Sequence, residues 1–162
     1  MIRYLFIILF SALATGCFNQ GDCLITATNL MQVKFLKKSD RSSLKLKFSS
    51  VTISGTTTVK YKNEEISTIL LPVNPGEGTT TFTLNYDSIA ADNSIIPVTS
   101  IIKVSYSQKS KVLSVDCGAF TYFTELAILD TSYNESQIRL NASELLHDVS
   151  TNAYANNIEV LL

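Results

Sequence analysis

The 162-residue chain reads as an all-β protein, an antiparallel two-sheet β-sandwich of Ig-like or related type with about eight to ten strands. Three observations predict it. Apolar and polar residues alternate with period two in short runs, β-branched and aromatic residues fill those runs, and turn residues separate them. Recurrent strand–helix alternation, the mark of a parallel α/β sheet, is missing from the pattern.

Leu30 to Lys37 places Met31, Val33 and Phe35 on one face, and Leu44 to Phe48 alternates in the same way. Val51–Ile53, Val59–Tyr61, Phe82–Tyr86 and Ile102–Tyr106 repeat the pattern. Ser54-Gly55, Asn74-Pro-Gly76, Glu77-Gly78 and Asp92-Asn93 supply turns between them. The one helical expectation is a short turn near residues 141–147, with Asn141 as N-cap and Glu144 completing a capping box. Asn157 to Leu162 is a final strand, expected to pair within its own domain; donation to a neighbouring subunit, as in a fimbria, is the rival. A small barrel is the rival architecture. A membrane barrel needs apolar outward residues and aromatic girdles, whereas the alternate face here is Lys, Ser and Thr.

The first residues carry targeting information. Arg3 and the apolar run Leu5 to Ala14 form a secretory signal, and a run of about ten residues is half of the roughly 20 a spanning helix needs. Two cleavage sites compete. Ala12-Leu-Ala14 fits ordinary signal removal, while Ala14-Thr-Gly-Cys17 resembles the lipobox of bacterial lipoproteins, with Leu13 one position early. Cysteine parity favours the second. The chain has three cysteines, Cys17, Cys23 and Cys117; lipidation of Cys17 leaves Cys23 and Cys117 as an even pair in an oxidising compartment. A secreted protein with a spare thiol is the alternative. A Cys23–Cys117 disulfide would close a loop of about 95 residues, worth roughly 4–5 kcal/mol in the chain-entropy model.

The expected organisation is a signal peptide over 1–16, a lipidated N-terminus and short connector over 17–29, and one sandwich domain over 30–162. With a connector this short, the domain sits close to the bilayer.

Charge is segregated along the chain. Residues 17–62 hold eight basic and two acidic side chains; residues 63–162 hold four basic and twelve acidic. Lys34, Lys45, Lys47, Lys60 and Lys62 alternate with core positions and form a candidate binding surface for anionic headgroups or acidic glycans. The plainer reading is that they solubilise outer faces and discourage edge pairing, with the acidic later strands cancelling their field. Export and a net negative mature chain argue against nucleic acid.

Chemistry is sparse. His147 is the only histidine, so a structural zinc site lacks its four Cys or His ligands once one cysteine is acylated, and no metal or cofactor is expected. His147 reads as a surface residue or a local partner of a carboxylate. No nucleophile elbow, paired-histidine metal motif or phosphate-binding glycine loop occurs, and adjacent Glu64-Glu65 point to opposite faces of a strand. Phe120-Thr-Tyr-Phe123 is the densest aromatic patch; Tyr122 or Phe120 is the candidate for stacking on a sugar or peptide, against the plainer reading that the patch is core.

The lipobox, Cys23, Thr28-Asn-Leu-Met-Gln-Val-Lys-Phe35, Leu71-Pro-Val-Asn-Pro75, Asp116-Cys-Gly118 and Asn157-Ile-Glu-Val-Leu161 together resemble an uncharacterised family of small lipoproteins from Bacteroidota-type bacteria. That resemblance implies an all-β fold and an envelope location, maps a two-cysteine pattern onto Cys23 and Cys117, and brings no established activity. It also implies an outer-membrane lipoprotein facing the periplasm, because Phe18 to Asp22 carries a single acid where surface-exported relatives carry an acidic run. Asp87-Ser-Ile89 resembles the acceptor of periplasmic O-glycosylation in such bacteria, making Ser88 a candidate modification site.

The functional expectation is a non-enzymatic, lipid-anchored envelope module, structural or protein-binding, that contributes to envelope assembly or binds another envelope component. Glycan or peptide capture by an accessory lipoprotein is the alternative, ahead of a hydrolase or fimbrial subunit.

Overall fold

A computed structural model describes residues 27–57, 59–89, 94–114 and 118–162. The strands in chain order are β1 (Leu30–Leu36), β2 (Leu46–Ile53), β3 (Val59–Lys60), β4 (Glu64–Ile66), β5 (Thr68–Pro72) and β6 (Thr79–Ile89), then β7 (Ile95–Ser114), β8 (Gly118–Thr131), β9 (Ile138–Leu140), β10 (His147–Asp148), β11 (Ala153–Tyr154) and β12 (Asn156–Leu161). The count exceeds the expectation because β3, β4, β9, β10 and β11 are ladders of two or three residues, too short for a periodicity to register.

One sheet has the order β5-β1-β12-β9; the larger has β3-β2-β6-β7-β8, with β4 also against β2. The sheets are antiparallel except at β1–β12, where the first and last long strands run parallel in the middle of the smaller sheet. The C-terminal strand therefore pairs within its own domain.

Period-two patterning explains the core. Met31, Val33 and Phe35 of β1, Ile69 and Leu71 of β5, and Ile158 and Val160 of β12 line the smaller sheet's inner face. They meet Phe48, Phe82, Leu84, Ile102 and Val104 from the larger sheet. Phe35 packs on Phe48 at 5.4 Å between ring centroids and Phe48 on Tyr86 at 5.8 Å, joining the layers.

Two departures from strict alternation have identifiable causes. The runs Leu44–Phe48 and Val51–Ile53 merge into one strand, because a register shift between Phe48 and Ser50 restores the inward phase for Val51 and Ile53. In β8 the left-handed Glu125, at φ 58°, takes the slack between inward Phe123 and Leu126.

The helical turn expected near 141–147 does not form. The Asn141 N–H donates to the Asn157 carbonyl and Leu145 N–H to the Phe123 carbonyl, and His147 enters β10. Tertiary partners claim the backbone groups a helix would have used, and Leu145 is buried as a result.

Fully buried Asn157 organises this region. The β1–β12 register skips it, from Gln32↔Asn156 to Val33↔Ile158. Its Oδ1 accepts from Gln32 N–H at 3.0 Å, and its Nδ2 donates to the carbonyls of Ala142 at 3.0 Å and Glu144 at 2.8 Å. One side chain thus replaces the ladder bonds lost at the bulge and ties down the segment before β10.

Candidate functional site

The long strand β7 gives the molecule two ends. At one, β6 and β7 turn over at Ile89↔Ile95; at the other, β7 and β8 turn over at Ser114↔Gly118. The chain joins the sandwich at the second end. Ala27 bridges Leu146, Leu145 N–H donates to Phe123, and Val73 N–H donates to the Asn29 carbonyl.

At that N-terminal end, β6 stops pairing at Thr79↔Ser105 while β7 and β8 continue as a two-stranded ribbon. Its base is latched by polar groups. The Tyr106 phenol donates to the Asn74 carbonyl at 2.6 Å, Thr80 Oγ1 accepts from Asn74 N–H at 2.8 Å, and the two hydroxyls meet at 2.7 Å. Because Tyr106 spends its one proton on Asn74, Thr80 is the donor between the hydroxyls. Burial pushes the Tyr106 phenol above its ordinary pKa.

The ribbon separates the aromatic patch by alternation. Phe123 turns inward onto Tyr106, edge to face at 5.6 Å, while Phe120 and Tyr122 fall on the other face and remain partly exposed. There they stand directly across from Lys111 and Lys109. The patch is thus core at one residue and surface at two. Lys109 Nζ reaches Glu125 at 3.0 Å, and Ser107 donates to the same carboxylate at 2.6 Å. The Ser107 bond, then Lys109, hold Glu125 below the usual carboxylate range, and Glu125 raises the Lys109 ammonium.

The opposite end holds a groove of about 420 Å³. Leu44, Ile89, Ile95 and Leu162 form its apolar walls, and Lys45, Lys47, Glu65 and Asp87 stand around them. Ser88 also lines it and is only partly exposed. Ile89 and Ile95 are 73% and 69% exposed, a large apolar area for so small a domain. No sequence signal announced this groove, because its walls come from four separate chain segments.

The five candidate lysines do not share a surface. Lys34 lies in β1 of the smaller sheet, between Thr68 and Glu159. Lys47 lies in β2 of the larger, between Glu65 and Asp87. Lys45 precedes β2, Lys60 is in β3, and Lys62 follows it in a turn. Folding sets acidic later strands beside basic early ones, which cancels the segregation seen along the chain. Glu159 shows the effect most strongly: burial opposes its ionisation, yet Asn156, Asn141, Arg41 and Arg139 outweigh that and lower its pKa.

His147 stacks on Tyr154 at 4.3 Å and its Nε2 meets Asn152 Oδ1 at 3.0 Å. The neighbouring Asp148 carboxylate instead closes its own turn, accepting from Ser150 and Thr151, which brings its pKa down to about 2. Among the described residues, no group of three or more His, Cys, Asp or Glu is placed to hold a metal ion. Cys17, Cys23 and Cys117 lie outside the described residues.

A family model matches residues 36–160, from the end of β1 to β12. The chain belongs to the DUF6452 family, a family of unknown function. No curated protein and no solved structure matches it. The match spans the ribbon and all of the groove's lining except Leu162, so this DUF6452 domain includes both ends of the sandwich.

Proposed function

We propose that this DUF6452 protein is a lipid-anchored module of the bacterial envelope that holds a partner protein in the groove between Leu44, Ile89, Ile95 and Leu162. One observation carries the reading: the chain joins the domain at one end, ten residues after Cys17, and the apolar groove opens at the other. From Ile95 to Gln108, the level at which Ala27 joins through Leu146 and Phe123, β7 covers about 43 Å of strand. An anchor on Cys17 would hold the groove away from the membrane and towards other envelope components.

The partner class follows from the groove's chemistry. Apolar walls beside Lys45, Lys47, Glu65 and Asp87 suit a protein segment with apolar side chains and both charge signs, not a polyanion. Those carboxylates are ladder neighbours of Lys47, an arrangement that favours binding over acid–base catalysis. The outer-membrane, periplasm-facing location belongs to the same reading; Ser88 lies at the groove, so a glycan there would compete with the partner for it.

The Cys23–Cys117 disulfide is part of the proposal. Cys23 lies four residues before Ala27 at the base of the ribbon and Cys117 directly precedes Gly118 at its far end, so the bond requires the Cys23–Ala27 segment to run extended along the ribbon. Peptide mapping of the mature protein tests it; a Cys17–Cys23 bond in its place would overturn both assignments.

A photo-crosslinking residue at Ile95, in the native host, tests the groove. The expected result is one discrete adduct, lost in an Ile89→Lys background and not formed from position 81 on the outer face of β6. Equal labelling from positions 95 and 81, or none from 95, would sink the reading.

A further inference from the structure

We infer that the β7–β8 ribbon is a second membrane contact, which lays its Lys109, Lys111, Phe120 and Tyr122 face on the headgroups of the bilayer. This rests on the anchoring reading above and adds to it a surface that the lipid alone does not supply.

Position is the first argument. The ribbon projects from the end at which the chain joins the domain. Ala27 and Phe123 are two ladder steps apart through Leu146 and Leu145, about 10 Å. The ribbon runs five further residues from Phe123 to Gly118, about 17 Å. Ten residues separate Cys17 from Ala27, a reach of at most about 35 Å. A lipid on Cys17 therefore brings the bilayer within range of the ribbon, which stands at the tethered end of the domain.

Composition is the second. The cross-strand pairs Lys109↔Tyr122 and Lys111↔Phe120 put two cations and two aromatic rings on one face. Amphipathic rings settle at the headgroup level, and lysine stems lie along apolar surface while their ammonium groups reach phosphate. Val112, 72% exposed, adds an apolar residue near the tip. Glu125 is bonded to Lys109 and to Ser107, and Glu144 also faces Lys109, so Lys111 is the cation left on this face for phosphate. Lys111 contributes about 1 kcal/mol of attraction to headgroup phosphate, reduced by salt, and the two rings with Val112 supply the rest of the contact.

The test uses the mature lipidated protein in phosphatidylethanolamine–phosphatidylglycerol vesicles that contain a phospholipid with a photoactivatable headgroup. Labelled peptides are then mapped. Adducts are expected on residues 109–122, and about fivefold fewer in Lys111→Glu, with vesicle pelleting unchanged because the acyl anchor remains. Val112→Asp, also at an exposed position, should lower labelling without unfolding the protein. Pelleted protein with no ribbon adducts, or Lys111→Glu labelling as strongly as the parent, overturns the contact and leaves the anchor standing. Protein recovered wholly in the supernatant overturns the anchor, and the ribbon contact with it.

Discussion

The two ends of the sandwich are stabilised by different physics. Towards the groove, aromatic packing dominates: Phe35, Phe48 and Tyr86 pack in tilted pairs, with the Tyr86, Ser100 and Tyr133 hydroxyls meeting behind them. Towards the ribbon, the fold closes with buried hydrogen bonds, from Asn157 to three backbone groups and among Tyr106, Thr80 and Asn74. Apolar packing tolerates small shifts, whereas a hydrogen-bonded latch is either made or left with unsatisfied groups. The groove end is a packed platform with an exposed apolar rim. The ribbon end is a projection whose orientation depends on a few polar residues at its base.

Substitutions separate the two. Phe48→Ala should have the largest effect, about 3–5 kcal/mol of lost stability in chemical denaturation, because it opens the shared core between both aromatic neighbours. Asn157→Ala should follow at about 2–4 kcal/mol, since it leaves Gln32 N–H and the carbonyls of Ala142 and Glu144 without their partner. Hydrogen exchange should then quicken at Leu145 and Phe123 and stay slow in the aromatic core; uniform loss of protection would show that the ends are not separable.

Tyr106→Phe should cost about 1–2 kcal/mol and release the β5–β6 turn from the ribbon base. Ile89→Lys should stay within about 0.5 kcal/mol of the parent, because the side chain is exposed, while abolishing the adduct from position 95.

The smallest expected effect is from pH. Asp148 is held down to about 2 by Ser150 and Thr151, so its turn is favoured above the ordinary carboxylate pKa and loses that support as pH falls through about 2. An NMR titration of Asp148 should show a midpoint near 2, with the His147–Tyr154 stacking shifts changing in the same window. A midpoint near the ordinary value would remove the turn from the account.

The fold class was legible because one face of each long strand is buried, which forces period two onto β1, β6 and the middle of β7. The bulge in β2 was not, since Ser49 and Ser50 look like a loop between two strands until β6 pairs across them. The mistaken helix at 141–147 arose because local capping signals say nothing of Asn157 or Phe123, which capture that backbone from elsewhere in the chain. Likewise Lys47 could be placed on an outer face from its strand alone, whereas its flanking Glu65 and Asp87 are set by sheet order. Tyr122 was found by composition; its partnership with Lys109 required the register of the ribbon.

The most direct test is the depth of each end relative to the bilayer. Spin labels at Val112 and Ile95 of the lipidated protein in anionic vesicles, read by relaxation from a lipid-bound paramagnet, should place position 112 at the headgroup level. Position 95, separated from it by about 56 Å of strand contour, should lie tens of ångströms further out. Equal depths, or position 95 nearer the bilayer, would contradict the assignment of one end to the membrane and the other to a partner.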